Sequence, residues 1–164
     1  MTGDKAVALV KLEPQDLLRL AVENKADIGV LERLVALAKD LRAEQAKEAW
    51  QHAMTAFQAG CPPIKKGETA DVGGRYTYWY SPLDQVMVVA RPVLATNGLT
   101  ATWRHPDPKR ADHIATVCRI AHTLGHFEES GAVELPIPGA DTRGSNPSQH
   151  VGATLSYGRR YAFL

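Results

Sequence analysis

The sequence predicts an α+β fold in which an antiparallel β-sheet packs on helices, with one long helix near the N-terminus. Three observations favour this fold. Apolar residues recur at helical spacing across residues 27–59. Short β-prone segments separated by turn residues follow between residues 68 and 135. The resulting order of helix, helix, hairpin, helix, antiparallel strands and helix is that of an α+β protein.

In the N-terminal third of the chain, residues 1–12 are predicted to be loosely structured, and two helices are predicted to follow them. Residues 1–26 form an N-terminal segment with a short helix at 14–24. Asp27 is a suitable N-cap for the long helix at 27–59, which ends before Pro62 because proline cannot continue a helix. One face of this helix is apolar, and it carries Leu31, Leu34, Val35, Ala38, Leu41, Ala46, Ala49, Trp50, Ala53 and Phe57.

An aromatic segment follows the long helix. Residues 68–80 (ETADVGGRYTYWY) predict a β-hairpin with its turn at Val72-Gly73-Gly74-Arg75. Side chains alternate between the two faces of a strand, so Tyr76, Tyr78 and Tyr80 share one face. One face must pack on the core, and at most half of the aromatic set is therefore available to a ligand.

The remaining elements are marked by their ends. Ser81 and Pro82 predict an N-cap and first turn for a helix over 83–94, kinked at Pro92 and ended by Asn97-Gly98. Three strands are predicted after this helix, at 99–104, 113–122 and 125–135, with a turn at 105–110 between the first two. A loop at 136–147 and a helix at 148–164 are predicted to complete the chain. Residues 27–164 are expected to form one α+β domain, with the sheet and its helices in 63–164.

Charge is distributed unevenly along a chain whose net charge is only +1. Residues 61–110 carry seven basic and four acidic side chains, and residues 143–164 carry three arginines and no acid. Residues 111–142, between them, carry one basic and five acidic side chains. The two basic segments form either a basic stripe in the folded protein or part of a mixed solvated surface.

No enzyme motif is recognisable. The glycine stretch at 67–75 lacks the Gly-Lys-Ser/Thr of a phosphate-binding loop. His122 and His126 lie four residues apart, but without the glutamate of a zincin motif. Glu128 and Glu129 are neighbours on a predicted strand and point to opposite faces, so they do not converge on a metal. We predict no catalytic residue, no metal site and no cofactor.

Two cysteines without metal-ligand spacing, Cys61 and Cys118, indicate a reducing compartment. No apolar run reaches the ~18 residues of a membrane span, and the N-terminus lacks the apolar core of a signal peptide. We therefore expect a cytoplasmic protein.

Basic and aromatic residues are interleaved in a manner typical of single-strand binding, in which cations contact phosphates and rings stack on bases. In the last helix, Gly152 and Gly158 lower helix propensity, which indicates close approach of another group. Arg159 and Arg160 are about 100° apart on that helix, so one is expected to bind phosphate and the other to form a structural salt bridge.

The segment GATLSYGRRYAFL at 152–164 resembles the signature of the Erf (essential recombination function) family of phage single-strand annealing proteins. Phe163 stands where that family often has leucine. Members commonly continue into a variable tail beyond this helix. Other features follow in the family's order over roughly residues 30–164: Ala56-Phe57-Gln58, Pro62-Pro63-Ile64-Lys65-Lys66, Tyr76-x-Tyr78, the helix at 83–94, Asn97-Gly98-Leu99 and Gln149.

The resemblance implies an annealing-ring fold and ATP-independent annealing of complementary strands in phage recombination, in the cytoplasm of an infected or lysogenic bacterial host. It implies a homo-oligomer, ring or filament. The apolar face of the long helix needs a surface to lie on, which is either its own domain or a neighbouring subunit, so residues 28–58 are a candidate contact surface. Partners would be single-stranded DNA, the annealed duplex and, through the tail, a host single-strand-binding protein or phage exonuclease. Tyr157 and Tyr161 would pack the last helix on the sheet. The expected DNA-binding residues are Lys65, Lys66, Arg75, Tyr76, Tyr78, Arg104, Lys109, Arg110, Arg159 and Arg160.

Two other functions stay open at this point. A passive module that protects single-stranded DNA would bind a strand without speeding its pairing. A metal-dependent nuclease would use the histidines and carboxylates.

Overall fold

The structure, a computed structural model, describes residues 14–71, 74–139 and 146–164. The α+β prediction is confirmed. The helices are α1 (Pro14–Glu23), α2 (Ile28–Gly60), α3 (Leu83–Thr96) and α4 (Pro147–Phe163), and the strands are β1 (Glu68–Asp71), β2 (Thr77–Tyr80), β3 (Leu99–Arg104), β4 (His113–His122), β5 (Phe127–Glu129) and β6 (Val133–Pro136). The predictions for residues 1–12, for Val72-Gly73 in the hairpin turn and for residues 140–145 of the predicted loop lie outside the described residues.

The chain divides within α2 into two compact units, one ending at Gln45 and the other beginning at Ala46. In the first unit, Asp27 caps α2 as predicted, since its Oδ2 accepts a hydrogen bond from the Gly29 amide at 3.2 Å. Ala38 is buried there. Several large apolar side chains of the first unit are exposed: Leu17, Leu20, Val22, Ile28, Val30, Val35, Leu37 and Leu41.

The second unit has its core between helices and sheet. Its buried members include Ala53 of α2, Met87, Ala90 and Leu94 of α3, and Leu99 of β3. Larger side chains pack against these residues at the edge of the core, namely Trp50, Met54, Phe57, Leu83, Ala101, Trp103, Ile120 and Phe163. The apolar face of the long helix thus contributes to this core through residues that follow Ala46.

The start of α3 differs from the prediction. Ser81 is not its N-cap: the cap is Pro82, without a side-chain hydrogen bond. The Ser81 hydroxyl instead donates to the Lys65 carbonyl at 2.7 Å, which fastens the segment before the hairpin to the segment after it. The predicted helix end is confirmed, because Asn97 is the C-cap and Gly98 follows with φ +67°.

The four-stranded antiparallel sheet is built on β4, the longest strand. β3 pairs along one part of it, from Leu99 opposite His122 to Arg104 opposite Val117. β5 and β6 also pair with β4, in registers that place Glu129 opposite Arg119 and Val133 opposite Thr116.

The single third strand predicted over 125–135 is wrong, because a β-bulge divides it. Residues 130–132 face only two residues of β4. Ser130 bridges the gap: its amide donates to the Cys118 carbonyl at 2.8 Å, and its hydroxyl accepts from the Cys118 amide at 3.0 Å. The Ser130 hydroxyl therefore replaces a backbone carbonyl of the ladder.

The last helix begins with a capping box. The Asn146 side chain accepts from the Ser148 amide at 3.1 Å, and the Gln149 side chain accepts from the Asn146 amide at 3.1 Å. Pro147 occupies the first turn, where its missing N–H leaves no donor unpaired. These residues fix where α4 starts and therefore which of its side chains face the sheet.

Candidate nucleic-acid interface

Arg160 lies inside a cluster of tyrosine rings. Its guanidinium carbon is 5.1 Å from the ring centre of Tyr80, 4.8 Å from that of Tyr157 and 5.0 Å from that of Tyr161. Its Nη1 also donates to the Ser81 carbonyl at 3.2 Å. Only 7% of the residue is exposed. Arg160 thus joins α4 to the end of the hairpin through cation–π contacts and a carbonyl, in place of the expected salt bridge.

A row of tyrosines leads from this cluster to the surface. Successive rings of Tyr76, Tyr78 and Tyr80 are 6.3 and 5.9 Å apart, which confirms that they share a face. The Tyr78 hydroxyl is hydrogen-bonded to that of Tyr157 at 3.1 Å, and this bond raises the pKa of Tyr78. Tyr76 is 61% exposed, whereas Tyr78 is half-buried.

Trp79 points away from this row, as the alternation of the strand requires, and it is also 61% exposed. Tyr157 packs against the hairpin through its bond to Tyr78. Tyr161 stacks on Tyr157 at 6.3 Å but remains 52% exposed. Among the described rings of the hairpin and α4, those of Tyr76, Trp79 and Tyr161 are therefore the ones open to a ligand.

Close packing on β4 orients α4. A Cβ atom at Gly158 would lie 2.5 Å from the Thr116 hydroxyl oxygen, so only glycine fits without a shift. Trp103 donates its indole N–H to the Arg159 carbonyl at 2.9 Å, and its ring lies 6.3 Å from that of Phe163. The close approach expected at Gly158 is thus to the sheet. At Gly152 no described atom lies within 4 Å of such a Cβ.

The side chain of Arg159 is exposed, in contrast to that of its neighbour. Its Nη2 lies 3.4 Å from Nε2 of His105, whose Nδ1 is 3.2 Å from the Thr116 hydroxyl. No carboxylate of the described residues forms an ion pair with Arg159. Its charge is therefore held in place and left available to an anion.

Arg159 borders a groove of about 530 Å³ between α3 and α4, which we call the α3–α4 groove. Leu83, Met87 and Trp103 supply its apolar surface, and Arg91 and Asp84 of α3 also line it. A smaller cavity of about 140 Å³ shares Leu83 with the groove and reaches Tyr80 and Arg160.

A third cavity continues the concave surface toward the hairpin. It has a volume of about 390 Å³, shares Tyr80 and Arg160 with the second cavity, and is lined by Lys66, Trp79 and Tyr161. Concave surface therefore extends from Arg159, past the buried arginine, to Lys66. Exposed cations stand at both ends of it.

Other expected binding residues lie elsewhere. Arg104 follows Trp103 in β3 and faces the opposite side of the sheet from the core. There Glu129 holds both Arg104, at 2.6 Å, and Arg119, at 2.7 Å, and the two guanidinium groups lower the pKa of Glu129 to about 2. The Arg104 charge is thus largely compensated. Lys65, Arg75, Lys109 and Arg110 are exposed on connecting segments.

Arg91, which lines the same groove as Arg159, is not among the binding residues predicted from the sequence. The signal was present in the spacing. Asp84, Val88 and Arg91 recur at steps of four and three and thus share a face of the predicted helix. Val88 is exposed, and the buried residues of α3 lie on another face. A helix face that is exposed and carries an arginine is a candidate for phosphate binding, and the spacing in the sequence was sufficient to identify it.

The histidines noted in the sequence have structural contacts. The His126 ring meets the edge of Trp50 at 5.7 Å, and its Nε2 lies 3.8 Å from Glu128. Nδ1 of His122 accepts from the Leu124 amide at 3.2 Å. Within the described ranges, no three histidine, cysteine or carboxylate side chains are grouped so that they could hold a metal.

Comparison with known families gives a match over most of the chain. The sequence model described as the ERF superfamily matches residues 50–164, which is well over half of the chain and includes the hairpin, the sheet, the groove and α4. No curated protein and no solved structure matches. None of the described helices is long and apolar enough to cross a membrane.

Proposed function

Because the chain belongs to the ERF superfamily, we propose that it binds single-stranded DNA and anneals complementary strands without ATP in phage recombination, in the bacterial cytoplasm. The observation that carries this proposal is the exposed Arg159, which borders a concave surface and has no carboxylate partner among the described residues. A fixed cation in a groove suits the phosphate backbone of a strand.

Annealing needs little more than this chemistry. Two complementary strands repel each other through their phosphates, and a basic surface that neutralises one strand lowers that repulsion while releasing counterions. Contacts to the backbone leave the base edges free for a second strand. Base pairing supplies the driving free energy, so no nucleotide hydrolysis is required.

The proposed contacts follow from exposure. Lys65, Lys66, Arg75, Tyr76 and Arg159 are exposed and supply the cations and one ring that single-strand binding uses. Arg104, Lys109 and Arg110 would contact DNA only where it leaves this surface, and Arg104 would first have to release Glu129. We assign Tyr78 and Arg160 to positioning, because both are engaged by other side chains.

We also propose that the protein acts as a homo-oligomer, ring or filament, in which neighbouring subunits extend the binding surface. The exposed apolar side chains of the first unit support this, since Leu37 and Leu41 lie one turn apart on α2 and are both exposed, which is unusual for a surface that faces only water. The partner for this surface would be a second copy of the chain.

The proposal is tested by the pairing of two complementary oligonucleotides, followed by fluorescence quenching with EDTA present and ATP absent. We expect the protein to accelerate pairing, and the acceleration to weaken as salt is raised. Strand binding without acceleration would leave the function of a passive protecting module. Loss of full-length strand in magnesium but not in EDTA would indicate a nuclease instead.

A further inference from the structure

We propose that the α3–α4 groove is a clamp for the backbone of the single strand, in which Arg91 and Arg159 bind phosphates from opposite walls. This inference rests on the proposed function and specifies where the strand lies. It assigns a binding role to Arg91, a residue outside the signature segment, and an opposing role to Asp84.

Arg91 is suited to an anion by its surroundings. It is exposed on α3 and forms no ion pair with the carboxylates of the described residues. Arg159 lines the same groove from α4, and it too has no carboxylate partner there. Since phosphate matches guanidinium geometry, an anion in the groove could bind to either group or to both.

The groove between these arginines suits a nucleotide chain. Its volume of about 530 Å³ is within the range of about 300–1,000 Å³ that is usual for ligand sites. Leu83, Met87 and Trp103 offer apolar surface to sugar and base. The indole N–H of Trp103 is already bonded to the Arg159 carbonyl, so that donor is not free to read a base edge. Such a surface holds a strand without selecting its sequence.

Asp84 gives the groove a direction. It lies seven residues before Arg91 on α3, which corresponds to about 10 Å along the helix axis. Both side chains line the groove, where the Asp84 carboxylate would repel phosphate and Arg91 would attract it. The strand would therefore enter at the arginine end, and removal of the Asp84 charge would let it bind more tightly.

His105 holds Arg159 ready for this contact. For the Arg159 Nη2 to donate to Nε2 of His105, the imidazole must be neutral, with its Nδ1–H directed to the Thr116 hydroxyl. Thr116 is itself buried under α4. Because contacts through His105 to the buried Thr116 already restrict the Arg159 guanidinium, this group loses less conformational entropy when phosphate binds.

The test is the affinity for a labelled oligo-dT strand, measured by fluorescence anisotropy over a series of salt concentrations. The variants are Arg91→Ala, Asp84→Asn and, as control, Arg33→Ala, which removes the same charge from an exposed site on α2 in the other unit. We expect Arg91→Ala to weaken binding roughly two- to fivefold at low salt. It should also reduce the slope of log K against log salt by about 0.7, the value for one phosphate of a single strand.

Asp84→Asn is expected to tighten binding, and Arg33→Ala to behave as the unchanged protein. A loss of stability cannot mimic the Asp84→Asn gain, since removing an acid from the first turn of α3 would weaken the helix. Equal affinities and slopes for Arg91→Ala and Arg33→Ala would overturn the clamp, as would weaker binding by Asp84→Asn. If the unchanged protein itself failed to bind the strand, the proposed function would fail and not merely this site.

Discussion

Arg159 and Arg160 are adjacent in the chain but lie in opposite environments. The helical period alone predicts that they diverge by about 100°. It does not tell which of the two is buried, because that depends on the tyrosines that the hairpin brings to α4. The sequence therefore predicts that one arginine binds phosphate and the other makes a structural contact, but not which arginine does which. The buried arginine contacts tyrosine rings and a backbone carbonyl instead of a carboxylate.

This difference predicts opposite phenotypes for two single substitutions. Arg160→Ala is expected to lower the free energy of unfolding by about 2–4 kcal/mol, since it removes three cation–π contacts and a hydrogen bond from a buried site. Arg159→Ala is expected to leave unfolding nearly unchanged and to weaken strand binding. Denaturant titration and anisotropy on both variants check this; equal losses of stability would contradict the assignment.

The two glycines of α4 give a matched pair. Gly158→Ala is expected to destabilise the protein by about 1–3 kcal/mol, because the new methyl group would overlap the buried Thr116 hydroxyl. Gly152→Ala, which meets no described atom, is expected to stabilise it by about 0.5–1 kcal/mol through helix propensity. Thermal melting measures both. Thr116→Ala should relieve the Gly158→Ala defect, and a failure to do so would place the strain elsewhere.

At the scale of elements, the sequence was most informative where periodicity was strong. The long helix was predicted at 27–59 and lies at Ile28–Gly60, and β3 and β4 have their predicted bounds. The sequence was misleading at two serines whose hydroxyl groups form hydrogen bonds to distant segments. The Ser81 hydroxyl donates to the Lys65 carbonyl instead of capping α3, and the Ser130 hydroxyl accepts from the Cys118 amide at the β-bulge. Both bonds join residues distant in sequence, so local patterns do not contain them.

The ion pairs of Glu129, on the side of the sheet opposite the core, predict a pH-dependent contribution to the stability of the fold. Arg104 and Arg119 hold the pKa of Glu129 at about 2, below the ordinary value of about 4.3. A depressed carboxyl pKa stabilises the fold above the unfolded-state value and loses that effect as pH falls toward the folded-state value. Glu129→Gln should therefore lower the melting temperature at pH 7, with the difference disappearing between about pH 4 and pH 2.

The neighbouring Glu128→Gln is the control for this measurement. Its side chain is 55% exposed against 23% for Glu129, and its carboxylate lies 3.8 Å from the His126 imidazole. A Glu129→Gln difference that stayed constant from pH 7 to pH 2, or one matched by Glu128→Gln, would show that the arginines do not stabilise the fold through this carboxylate.

At the scale of the whole molecule, the division within α2 bears on assembly. The second unit buries Ala46 and Ala53 of this helix, whereas the first unit leaves Leu37 and Leu41 exposed. If these side chains contact a second copy, Leu37→Glu and Leu41→Glu should shift the mass measured by light scattering toward the monomer. Melting of the second unit should be little affected. An unchanged mass in both variants would remove this surface from the proposed interface.

The central claim, that this chain anneals strands through the surface beside α4, is tested most directly by the rate at which two complementary oligonucleotides pair. The rate is measured without ATP and with EDTA, at a protein concentration that saturates one strand. We predict a large acceleration by the unchanged protein and by Arg33→Ala, and loss of most of it in Arg159→Ala at the same concentration. A folded protein that binds the strand yet leaves the pairing rate unchanged, or an Arg159→Ala variant that accelerates pairing fully, would contradict the account.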